Sequence, residues 1–346
     1  MRTRPPQHVP LHGDDEVSPF TGRTVVVTGA GGFIGGHLAE RLVREGARVR
    51  GFVRYNSRND RGTLDWLDPD VAREIEVVHG DLRDVESVAA AMRGASVVFH
   101  LAAQIAIPYS YVNPRDYFET NVIGTLNVAQ VARDAGTERI VHTSTSEVYG
   151  TAQTIPIAED HPLEAQSPYA ASKVGADKLM DSFHRSFDLP VTILRPFNTY
   201  GPRQSSRAIV PTIISQALSR DTLSLGSLEP RRDLTFVSDT VAGFLAAGSS
   251  SAVVGRTIQL GTGTEVSVDE IVAMVATALG RELRVQQDPH RVRPPKSEVG
   301  RLVSNPALAE ELLGWAPEIG LAEGLRRTIQ AIRESEAPFR IDEYVI

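Results

Sequence analysis

The chain has 346 residues, 41% hydrophobic and 23% charged, with a mean hydropathy of −0.15; at about 150 residues per domain, this fits two globular domains, or one α/β unit with an appended lobe. Thirty-six basic residues against 43 acidic ones give a formal net charge of −7, which argues against general affinity for nucleic acid or an anionic membrane. Any anion needs a local site. The absence of cysteine excludes disulfides, thiolate catalysis and Cys-ligated zinc, and fits a cytoplasmic chain.

No stretch approaches the roughly 18 apolar residues needed to span a bilayer. Residues 1–20 (MRTRPPQHVPLHGDDEVSPF) put Pro, His and acids where a signal peptide would carry an apolar run, so they are expected to be a loose polar tail. Thr24 to Thr28 then reads as a strand ending in the turn Gly29-Ala30-Gly31-Gly32, followed by helical spacing at Ile34, Leu38, Leu42 and Val43. Further strands are expected at Val49 to Val53, Ile75 to Val78, Ser96 to Leu101, Ile140 to Thr143 and Val191 to Leu194. Helices are expected at Val85 to Met92, Tyr117 to Arg133 and Tyr169 to Phe187. Continuous apolar strands alternating with amphipathic helices predict an α/β, doubly wound Rossmann-type parallel sheet over residues 21–196.

After Pro196, recurrent prolines break the chain into shorter pieces. Residues 197–346 are therefore read as mainly a smaller mixed α/β lobe for substrate. Its helices are expected at Ile209 to Leu218, Asp239 to Ala247, Val268 to Ala278, Pro306 to Leu313 and Leu321 to Ile332. Ligands bind beyond the carboxyl ends of strands in such sheets, which places the active site between the lobes.

Gly29, Gly32 and Gly35 form a GxxGxxG between strand and helix. Residues without a Cβ let the chain turn tightly and let a pyrophosphate approach backbone N–H groups at the positive helix end; close packing alone is the other reading. NAD sites place an acid about 20 positions on, where this chain has Arg54, with Asn56 and Ser57 nearby. An arginine there suits a 2′-phosphate and so favours NADP, or is a solvated surface group. Asp81 could reach the adenine or cap the next helix.

Tyr169 and Lys173 lie four apart, on one helix face, after a Ser167-Pro168 start. An ammonium beside a phenol stabilises the phenolate, which suits Tyr169 to remove a hydroxyl proton during hydride transfer; such a pair is also a common helix surface. Upstream, Thr145, Ser146 and Glu147 leave the fifth strand's carboxyl end. They offer a substrate hydrogen bond, a proton relay and a carbon-acid base, or merely a polar strand end. The histidines show no ligand-spaced pair outside the tail, where His8 and His12 sit in Pro-rich sequence, so no metal is expected.

TGAGGFIG (28–35), HGDL (79–82), HLAA (100–103), YxxxK (169–173), RPFNTYGPRQ (195–204), RRDLTFVSD (231–239) and RVRPPKSEV (291–299) occur in order. From Thr24 to about Ile332 the chain resembles the extended short-chain dehydrogenase/reductases that act on nucleotide sugars. The resemblance implies a tightly bound, recycled NAD or NADP, a nucleoside diphosphate sugar in the second lobe, and a homodimer. It assigns Gly29, Gly32, Phe33, Ile34, Gly35, Arg54, Asp81, Leu82, Leu101, Ala102, Ala103 and Lys173 to the cofactor. It also maps Asn198, Arg232 and Arg293 to the substrate diphosphate, with Arg231, Arg291 and Arg301 as competing arginines.

Thr145-Ser146-Glu147 resembles the loop of GDP-mannose 4,6-dehydratases. The stretches His142 to Gln204 and Arg291 to Leu302 resemble the 4,6-dehydratases of the legionaminic acid pathway. The expected activity is dehydration of a UDP- or GDP-linked N-acetylglucosamine to a 4-keto-6-deoxy sugar, with Tyr169, Lys173, Thr145, Ser146 and Glu147 as catalytic residues. The alternatives are a 4-epimerase of a UDP-hexose or UDP-uronic acid, and a uronic acid decarboxylase.

Overall fold

The structure, a computed structural model, describes residues 17–335. The first half runs β1 (Thr24–Thr28), α1 (Phe33–Arg44), β2 (Arg48–Arg54), α2 (Pro69–Arg73), β3 (Ile75–Gly80), α3 (Val85–Met92) and β4 (Val97–His100). It continues through α4 (Ile107–Val112), α5 (Pro114–Phe118), α6 (Gly124–Ala135), β5 (Arg139–Thr143), α7 (Pro168–Phe187) and β6 (Val191–Pro196). Val25, Val26 and Val27 of β1 are fully buried, as expected of a central strand covered on both faces.

The second half comprises β7 (Asn198–Tyr200), α8 (Ile209–Ser219), β8 (Thr222–Leu225), β9 (Arg231–Arg232), β10 (Leu234–Phe236), α9 (Val237–Ser249) and β11 (Thr257–Leu260). After these come β12 (Val266–Ser267), α10 (Val268–Leu279), β13 (Arg284–Gln287), β14 (Arg301–Leu302), α11 (Ala307–Leu313) and α12 (Leu321–Glu334).

The main sheet is parallel, in the order β11-β6-β5-β4-β1-β2-β3. The direction of winding reverses at β1, so a crevice opens beyond the carboxyl ends of β1 and β4. Two features of the domain division need correction. Phe20, read as tail, is buried against the Phe99 ring at 6.1 Å; residues 1–16 of that tail lie outside the described residues. The sheet-bearing unit also does not stop at Pro196: β11 pairs with β6 in the register Thr257↔Ile193, and α9 packs on α1. The short TIQL run of β11 lies among the prolines and gives little strand signal by itself. One hydrophobic cluster joins Val25 and Leu38 to Phe244, Ile258 and Ile329, so the halves share a core. Among the described residues no helix is long and apolar enough to cross a membrane.

Candidate active site

The glycine turn is built for close approach. Gly29 has φ +73°, and a Cβ there would meet the Ala102 backbone at 2.8 Å. A Cβ on Gly35 would run into the Gly29 carbonyl oxygen. Gly32 caps α1 without a side-chain bond, and the helix's first turn holds no acid. Its N–H groups and positive end therefore face the crevice uncompensated by protein charge. The β4 strand end reaches the same turn: Leu101 and Ala102 donate backbone N–H groups to Thr28 Oγ1 at 3.1 Å. These residues fit a dinucleotide pyrophosphate, which needs bare backbone and no opposing carboxylate.

Arg54 ends β2 on the surface; hydrogen bonds from Arg83 chiefly hold the Asp81 carboxyl below its usual range, and the Arg54 charge adds a little. The capping role considered for Asp81 is not found: α3 is capped by Asp84, whose side chain accepts from Glu86 N. Asp81 instead accepts from the Arg83 backbone and guanidinium. The intervening Leu82 is buried, and a Cβ on Gly124 would meet it at 2.8 Å.

Ser167 caps α7 by accepting from Ala170 N at 3.1 Å, with Pro168 in the first turn. This start aims Tyr169 and Lys173 into the crevice side of β5, both buried at 8% and 4% exposure. Thr145 caps the short turn Ser146–Tyr149, its Oγ1 accepting from Glu147 N at 3.2 Å. Thr145 pulls the Tyr169 phenol down, and the Glu147 charge pushes it up. Thus the structure brings Tyr169, Thr145 and Glu147 together.

Burial pushes the Tyr169 phenol up, with Thr145 opposing and the charges of Glu147 and Asp177 adding to the rise. Lys173 Nζ donates to the Thr143 carbonyl at 2.6 Å. Burial brings Lys173 down to about 8, against the opposing pull of Asp177.

On the other side of Glu147 stand two arginines. Arg293 Nη1 lies 4.0 Å from Glu147 Oε1 and 3.6 Å from Glu298 Oε1. Arg232 Nη2 lies 3.5 Å from the same Glu298 oxygen. Arg232 is buried, which lowers its affinity for a proton, while Glu147 raises it and Arg293 lowers it further. The competing arginines are engaged elsewhere: Arg231 with Glu265 and Glu270, Arg301 with Glu265, and Arg291 with Asp288. Asn198 opens β7 beside Leu234, bonding Asp233 O through its backbone.

Sequence reasoning missed the buried acids that hold this arrangement. Asp233, between Arg232 and β10, accepts from Thr262, Gly263 and Ser304. It pins the segment that carries Arg232. Asp177 does the same behind Lys173. Its position four residues beyond Lys173 on α7 was the available signal.

The family model described as GDP-mannose 4,6 dehydratase matches residues 26–328. A UDP-glucose 4-epimerase of Mycolicibacterium smegmatis is 36% identical over 315 residues, covering 89% of this chain and 98% of that one. Among solved structures, the dTDP-glucose 4,6-dehydratase DesIV of Streptomyces venezuelae, with NAD bound, is 32% identical. It has a TM-score of 0.79 over 90% of this chain and 97% of that one. UDP-glucuronic acid 4-epimerase of Bacillus cereus, also with NAD, has a TM-score of 0.82 at 25% identity, covering 90% and 99%. The family match over residues 26–328 and the 36% identity over 89% of the chain are decisive: the chain belongs to the GDP-mannose 4,6 dehydratase family, within the extended short-chain dehydrogenase/reductases that act on nucleotide sugars.

Proposed function

We propose that the protein is a nucleotide-sugar 4,6-dehydratase that converts a UDP- or GDP-linked N-acetylglucosamine to the 4-keto-6-deoxy sugar. The observation that carries the reading is Glu147, a carboxylate on the same turn as Thr145 whose charge reaches Tyr169. Gly29, Gly32, Phe33, Ile34, Gly35, Leu101, Ala102 and Ala103 would hold a nicotinamide dinucleotide, with Arg54 and Asp81 toward its adenosine end and Lys173 toward the nicotinamide ribose. When bound, this group supplies a hydride acceptor that becomes the donor later in the turnover, leaving the reaction redox-neutral.

Tyr169 Oη, with Thr145 beside it, takes the proton of the sugar C4 hydroxyl as C4 becomes a ketone. The ketone acidifies the C5 proton, which Glu147 removes. Breaking the C6–oxygen bond releases water, the proton coming from Glu147 with Ser146 as relay. With the bound dinucleotide supplying the hydride for C6, the proton gained at C5 from solvent would offset the one that Tyr169 takes from the C4 hydroxyl and releases. Arg232 and Arg293, with Asn198, would hold the diphosphate, since guanidinium forks match phosphate oxygens. A homodimer is part of the same reading, and light scattering in solution tests it.

The second reading is a 4-epimerase, favoured by the 36% identity to the mycobacterial enzyme. It uses Tyr169 and Lys173 but leaves Glu147 without a task. Incubation with UDP- and GDP-N-acetylglucosamine, GDP-mannose, dTDP-glucose and UDP-glucuronic acid in deuterated water separates the two by mass. Loss of one water with solvent deuterium in the product is expected. An unchanged formula without deuterium, together with a new C4 epimer, would overturn the dehydratase reading.

A further inference from the structure

Tyr169, Lys173 and Asp177 repeat at four-residue steps on α7, and all three are buried, Asp177 at 1% exposure. A carboxylate so deep requires compensation. Its Oδ2 accepts from Ser144 Oγ at 2.7 Å and from Arg195 Nη2 at 3.0 Å, while Oδ1 lies 3.3 Å from His142 Nε2. His142 and Ser144 flank Thr143, whose carbonyl receives the Lys173 ammonium. Arg195 continues to Tyr149, donating to its hydroxyl at 2.9 Å at the far end of the Thr145–Tyr149 turn.

The charged and titratable groups around the pair come from every neighbouring element. His142 stands on β5, His100 on β4 and Arg195 on β6, with Tyr169 on α7 itself. Burial holds both histidines below their ordinary range, so neither supplies charge near neutral pH. Among the described residues Asp177 is the carboxylate whose charge acts on Lys173.

We propose that Asp177 is a positioning residue for proton transfer at Tyr169: fixed by Ser144 and Arg195, its carboxylate keeps the buried ammonium of Lys173 charged. Tyr169 is itself buried, and its phenolate needs a nearby cation; the Asp177 charge by itself pushes the phenol up, so its help acts through the lysine, which without it would shed its proton to escape burial. The inference rests on proton abstraction by Tyr169, common to dehydration and epimerisation. It does not depend on the role of Glu147.

The chain contains three lysines, Lys173, Lys178 and Lys296. Protein grown on lysine labelled with 13C at the ε carbon therefore gives three titration curves, assigned with Lys178→Arg and Lys296→Arg. Asp177→Asn should lower the Lys173 midpoint from about 8 by about one pH unit or more, and Asp177→Glu should bring it back toward the wild-type value. The readout needs no substrate, so it fails or succeeds separately from the functional assignment. Asp177→Asn leaves Arg195 buried without its carboxylate, and if that variant does not fold, Asp177→Asn with Arg195→Gln removes both charges and is read in the same way.

In single turnovers followed by nicotinamide absorbance, a one-unit shift costs about fivefold in rate at pH 8 and almost nothing at pH 6. A loss equal at all pH values, or a Lys173 midpoint unmoved by removal of the carboxylate, would overturn the proposal.

Discussion

Replacing Glu147 by Gln keeps the volume of the side chain and removes its charge and basicity. Loss of a positioned general base costs about 10²- to 10⁴-fold, or roughly 3 to 5 kcal/mol of barrier, and this should fall on water loss alone. The surroundings give the change a second signature. Glu147 Oε1 is 4.0 Å from Arg293 Nη1, an attraction of about 4 kcal/mol at an effective dielectric of 20 and about 1 kcal/mol in water. With Arg293 27% and Glu147 13% exposed, the lower part of that range applies. Neutralising Glu147 therefore frees Arg293 for a substrate phosphate, so KM should stay level or fall while kcat collapses. The assay is product mass in deuterated water beside nicotinamide absorbance: the first oxidation persists, and dehydration with C5 deuterium incorporation disappears. Full turnover of Glu147→Gln to the keto-deoxy product would refute the assignment.

Arg232→Ala should weaken nucleotide-sugar binding by one to two orders of magnitude with cofactor retained, since a charged hydrogen bond contributes about 1.5–3 kcal/mol; calorimetry showing equal loss of both ligands would point to misfolding instead. Arg54→Ala should weaken NADP binding and leave NAD within about twofold, because only the 2′-phosphate offers the guanidinium a partner; a fluorescence titration with unchanged NADP affinity would remove Arg54 from the cofactor site. Gly35→Ala drives a Cβ into the Gly29 carbonyl, and about 1–3 kcal/mol of overpacking should appear as a lower urea midpoint and lost dinucleotide binding. The pH dependence has opposite signs in two assays. Lys173 is held at about 8, below the unfolded value of about 10.4, so between these limits the unfolded chain binds the extra proton and stability rises with pH by about 3 kcal/mol in all. Activity falls over the same window as the ammonium is lost. A difference in urea midpoints between wild type and Lys173→Met that is flat from pH 8 to 10 would contradict this.

The local signals in the sequence were strong because each element carries its own cause. The β-branched run of β1 between polar flanks, the glycines at 29, 32 and 35, and the Ser167-Pro168 start of α7 specify strand, turn and helix without reference to anything distant. Alternation of these pieces was enough for the doubly wound sheet, and the helices of the second half were placed nearly as found. The spacing of Tyr169 and Lys173 likewise puts both on one helix face.

What needed tertiary structure were relations between residues far apart in the chain. Thr257–Leu260 becomes a sheet strand only because the β6 edge stands open to receive it. Which arginines stand beside Glu298 and Glu147, and which pair with Glu265, Glu270 or Asp288, is likewise set by contacts between distant parts of the chain. Asp81 lost its capping role to Asp84 through a local competition for N–H donors that residue type alone leaves open. The protonation of the site was hidden for the same reason. A lysine four residues from a tyrosine promises a lowered phenol, while burial pushes the Tyr169 phenol up and the Lys173 ammonium down. Desolvation is a property of everything packed around a group, and no short motif contains it.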